Sequence, residues 1–153
     1  MTERTLDYFQ KRIKEAQDFF AGNPEMEILE KLKVYREKAQ GIINEIQAIP
    51  EKERGYELSM ILVKACVIAN DVVEAIIALI DNKEGGKNDP LWYYYMGHCF
   101  QCHPKKPKYD VALKHYQKFL ELATENNLKE EDRQLIENTK SLINNLKMMI
   151  DQE

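Results

Sequence analysis

Glycine and proline are scarce in this chain, six and five residues out of 153. With ordinary proportions of apolar and charged residues beside them, that scarcity excludes the fibrous and disordered classes. Three cysteines, an odd number, do not make a disulfide framework in a chain of this size. No apolar run approaches the ~20 residues needed to cross a bilayer, so no membrane partner is expected. The opening Met1-Thr2-Glu3-Arg4-Thr5-Leu6-Asp7 lacks the basic end and apolar stretch of a signal peptide, which makes the cytoplasm the expected compartment. A net charge of -4 gives no general attraction to nucleic acid, and none is expected as a partner. No close carboxylate pair has the supporting groups a hydrolase needs, so the chain reads as not an enzyme.

What is present is helical periodicity. Leu6, Phe9, Ile13, Ala16 and Phe20 share one helix face, and Gly22-Asn23-Pro24 interrupts it. Asn23 is expected to cap the next helix, with Pro24 at its first position. That helix carries Leu29, Leu32, Ala39, Ile42, Ile43 and Ile46 and ends near Pro50. A third follows from about Lys52 to Ala69, burying Leu58, Leu62, Ala65 and Cys66. After the Asn70-Asp71 turn, Val72 to Ile80 is apolar almost all round and predicts a short helix wrapped by neighbours on several sides. Gly85-Gly86 closes it, and Asp89-Pro90 starts a fifth helix reaching Cys102. Pro104 to Lys108 is a short, stiff basic loop, and a sixth helix begins near Tyr109. Beyond Asn126-Asn127, a last helix carries Leu135, Ile136, Leu142, Ile143, Leu146, Met149 and Ile150. The fold class is therefore all-α, with about seven helices joined by short turns.

One stretch has a repeat character. Ala75 is followed 22 residues later by Gly97, each a small residue where two helices can approach closely. Tyr93, Met96, Gly97 and Phe100, with Trp92 one place early, give the order aromatic, aliphatic, glycine, aromatic. Ala112 and Tyr116 follow on the next helix, across an insertion that falls in the Pro104–Lys108 loop. This pattern resembles the tetratricopeptide repeat, whose period is about 34 residues. An earlier, weaker copy runs through Leu62, Val63, Cys66, Ala75 and Leu79, and the resemblance covers about residues 58–124. It implies a single domain over 1–153 of antiparallel hairpins stacked as a short right-handed solenoid. In that reading 1–50 is an N-terminal hairpin, 51–127 holds two repeats, and 128–153 is a C-terminal capping helix.

Cys99-Phe100-Gln101-Cys102-His103 has the spacing of a c-type haem attachment motif. His98 with Cys102, and Cys99 with His103, also stand four apart, as zinc ligands on a helix can. The motif lies inside the helix that carries the repeat signature, and a metal would need ligands from elsewhere. Cys66 and Cys99 are instead expected to pack as small hydrophobes, so neither a cofactor nor a metal is expected. The lysines at 105, 106 and 108 read as solvated loop surface.

The resemblance also implies a ligand groove, lined by Met60, Lys64 and Val67 in the earlier repeat and Tyr94, His98 and Gln101 in the later one. These types suit a protein or peptide segment held by apolar and aromatic contacts. The function implied is a non-enzymatic binding module: an adaptor, scaffold or small chaperone. The alternatives are a self-associating structural protein, whose homodimer would cover Met148, Met149 and Ile150, and a metal- or haem-binding protein centred on Cys99, Cys102 and His103.

Overall fold

The computed structural model of the protein describes residues 2–152. Among them are eight α-helices and a single 3-10 turn, and they fall into two compact units that divide between Asn82 and Lys83. Within each unit consecutive helices pack on one another, as in a helical-repeat arrangement.

In the first unit, α1 (Glu3–Ala21) begins at Thr2, whose hydroxyl accepts from the Thr5 amide at 3.2 Å. It buries Phe9, Ile13 and Ala16, the face predicted from spacing. Asn23 does not cap the next helix. It sits at φ 55° and donates its side-chain amide to the Phe19 carbonyl at 3.1 Å, so it closes α1 instead. The second helix, α2, runs Ile28–Gln47 and buries only its later half, through Ala39, Ile42, Ile43 and Ile46. Across the α1–α2 seam, Tyr8 donates to Glu45 and receives from Arg12, while Arg12 also pairs with Glu45. Phe20 stacks on Tyr35 with centroids 4.6 Å apart.

The central element is α3 (Glu51–Ile68), which packs against α1, α2 and the following helix. Nearly every residue from Leu58 to Cys66 is therefore buried, each large aliphatic contributing about 1.5–3 kcal/mol. Gly55 interrupts α3 at φ 72°, ψ 168°, a conformation open essentially to glycine alone. Just before it, Arg54 donates to the Ile49 and Gln47 carbonyls at 2.9 and 3.3 Å and so satisfies the end of α2. Asn70 at φ 62° ends α3, and the Asp71 carboxylate caps α4 (Val72–Asp81) by accepting from the Glu74 amide.

The second unit opens with a single turn, α5 (Lys83–Gly86), where the sequence predicts only a break. A Cβ on Gly86 would overlap the Trp92 indole, which accounts for glycine there. Next, α6 (Pro90–Gln101) starts as its sequence predicts, with Asp89 accepting from the Leu91 amide at 3.0 Å and proline in the first turn. Its partner α7 (Tyr109–Leu122) ends where Thr124 and Asn127 exchange two hydrogen bonds and Asn127 reaches back to the Leu122 carbonyl. The 3-10 turn Glu130–Asp132 leads into α8 (Gln134–Asp151). Ala112, Tyr116, Ile143 and Leu146 form a buried cluster between α7 and α8, against which Tyr94, Phe100 and Tyr109 pack.

Candidate functional surface

The six positions that the repeat resemblance assigns to a ligand divide evenly between two helices, Met60, Lys64 and Val67 on α3 of the first unit and Tyr94, His98 and Gln101 on α6 of the second. Met60 is buried, while Lys64 and Val67 are partly covered. The three on α6 already have occupations in their own unit. Tyr94 packs its ring 5.8 Å from Tyr116 and 5.5 Å from Phe119. Burial first, then the neighbouring Cys102 and Asp132, push its phenol above the ordinary value. Gln101 accepts from the buried Tyr116 hydroxyl at 2.8 Å. His98 is half-buried, and burial lowers its tendency to take a proton.

The Cys99-x-x-Cys102-His103 string is dispersed among three environments. Cys99 is fully buried on the inner face of α6, and its thiol is pushed up to about 12, chiefly by burial and then by Cys102. Cys102 is exposed at the helix end. The His103 Nδ1 accepts from the Lys105 and Lys106 amides at 3.2 and 3.1 Å, so the imidazole organises the basic loop. Among the described residues no group of three or more His, Cys, Asp or Glu side chains converges as a metal site. Cys66 is buried as well.

The feature that sequence spacing missed lies on α4. Instead of being wrapped on several sides, this helix packs on α3 and leaves three of its aliphatics facing outward. Val73, Ile77 and Ile80 are 50%, 48% and 54% exposed, while the buried face takes Val72, Ala75, Ala78 and Leu79. The spacing i, i+4, i+7 places the three outward residues in one stripe about 10 Å long. A signal for it was present: the small residues Ala75 and Ala78 mark the face that lies close to a neighbour, and Val73, Ile77 and Ile80 fall on the other side. Along one edge of the stripe lie Glu74 and Asp81, above a cleft also lined by Glu51, Arg54, Leu62 and Asn82. The Glu74 carboxylate accepts from the Gln47 amide at 3.2 Å.

No known family pattern, curated protein or solved structure matches the chain. Among the described residues no helix is long and apolar enough to cross a membrane.

Proposed function

We propose that this chain is a non-enzymatic binding module of the cytoplasm that receives a segment of another protein. The observation that carries the reading is the outward stripe of Val73, Ile77 and Ile80. Scattered exposed aliphatics are ordinary, but three adjacent ones on one short helix, rimmed by charge, mark a surface meant to be covered. The reading of α3–α4 and α6–α7 as tetratricopeptide-like repeats belongs with this proposal. It is supported by the fully buried Ala75 and Ala112 and by Gly97 lying against Tyr116.

The test compares partners captured by the wild-type chain with those captured by a triple variant, Val73→Ser, Ile77→Ser and Ile80→Ser. Lys64→Glu forms a separate arm for the groove positions, and Tyr94→Ala a weaker one, because that ring also packs in its unit. Partners lost with the stripe variant support the α4 face, and partners lost with Lys64→Glu support the groove. Equal recovery by every variant sinks both the stripe and the groove positions as the binding surface.

A second reading rests on α8, where Met148 and Met149 are 62% and 41% exposed. Here two copies would associate and cover these methionines. Light scattering across a concentration series decides it: a monomer throughout removes self-association.

A further inference from the structure

Resting on the reading of α4 as a docking face, we infer that its occupant is a basic amphipathic helix from another protein. Shape and charge both lead there. The stripe is two helical turns long and convex, and a second helix laid alongside covers such a surface with residues at matching i, i+3/i+4, i+7 spacing. Every charge on α4 is negative: Glu74 and Asp81 stand on the same edge of the stripe, and the capping Asp71 precedes them. Glu51 lines the adjoining cleft with Asp81. Among the described residues no ion pair ties Glu51, Glu74 or Asp81. Two cations line the same region. Arg54 is committed to the Ile49 and Gln47 carbonyls, and Lys52 stands against three carboxylates.

The same charges argue against a second copy of this chain as the occupant. In an antiparallel pairing through the stripe, the two-fold axis would bring Glu74 of one copy opposite Asp81 of the other. Both would lie at one rim, where like charges repel. A partner helix with Lys or Arg along the facing edge meets both carboxylates instead.

Three synthetic helical peptides test this, identical in their Leu/Ile face and differing only in flanking Lys, Gln or Glu. Binding to the full chain is followed by fluorescence anisotropy at low and high salt. The Lys-flanked peptide is expected to bind roughly three- to tenfold tighter than the Glu-flanked one, as two rim ion pairs provide. That margin should shrink as salt is added. Ile77→Asp should abolish binding, with far-UV circular dichroism reporting that the helices persist. Glu74→Lys combined with Asp81→Lys should reverse the preference toward the Glu-flanked peptide.

Equal binding of all three peptides, lost in Ile77→Asp, overturns the basic partner while leaving the docking face intact. Binding indifferent to Ile77→Asp, or no binding of any peptide, overturns the inference at this face. A homodimer dissociated by Ile77→Asp overturns it in favour of self-association.

Discussion

Gly97 of α6 lies against the ring of Tyr116 in α7, so closely that a Cβ built on the glycine would stand 2.8 Å from two ring carbons. Tyr116 is itself fully buried and tied through its hydroxyl to Gln101, so the ring has no free direction in which to retreat. The α6–α7 hairpin is therefore set at a separation that only a hydrogen at position 97 allows.

Gly97→Ala should destabilise the protein by about 1–3 kcal/mol, as overpacking of a tight helix contact does. This loss is expected even though alanine is the better helix former by about 1 kcal/mol. Urea denaturation measures it, and an unchanged or raised midpoint refutes the close-packing account. Tyr116→Phe should cost about 0.5–1.5 kcal/mol through the lost bond to Gln101.

Gly55→Ala should cost about 1–3 kcal/mol for a different reason. Beyond the adjoining chain, no atom lies within 4 Å of the position its Cβ would take, so the loss comes from the backbone at φ 72°. D-alanine, introduced there by chemical ligation, should be tolerated. Equal destabilisation by both enantiomers would point to a clash instead.

His98 makes stability depend on pH. Burial lowers its folded-state pKa from 6.5, so below that value the unfolded chain binds the proton more readily. The stabilisation is fully present above pH ~6.5 and is lost as the pH falls through the lowered value. Denaturation midpoints at pH 7.5 and 5.5 should differ more for wild type than for His98→Gln. Identical differences would remove the histidine from the account.

The three thiols should separate by exposure. Cys102 is exposed, whereas Cys66 and Cys99 are buried. A disulfide reagent should therefore modify one thiol in the native protein and all three after denaturation. Partial burial also pushes the Cys102 thiol up, so its reaction should quicken as the pH rises above neutral. Rapid native modification of Cys99 would contradict its burial on the inner face of α6.

The all-α class and most helix boundaries were legible because their causes are local. Asp71 and Asp89 cap the helices that follow them, and Asn127 fastens the turn after α7, each through a side chain within a few residues of its partner. Asn23 misled because an Asn after a helix can close that helix or open the next, and only the distance to Ile28 settles which. Gly86 misled because its reason is Trp92, a contact made after the chain has turned. The outward face of α4 was hidden from periodicity for a more general reason. Periodicity shows which residues would favour burial, not whether a neighbour exists to cover them. Tyr94 illustrates the same limit, since the resemblance assigns it to a ligand while α7 supplies Tyr116 and Phe119 as its contacts.

The pairing of consecutive helices has a kinetic consequence. In each unit, contacts join mainly elements adjacent along the chain: α1 to α2, α2 to α3 and α3 to α4, then α6 to α7 and α7 to α8. Such a topology closes short loops first and waits for few distant partners, which is the regime of microsecond-to-millisecond folding. During synthesis, α1 and α2 can meet while later residues are still inside the ribosome. In the first unit the order of translation is thus an order in which the helices can assemble, and α4 is the last of them to be made.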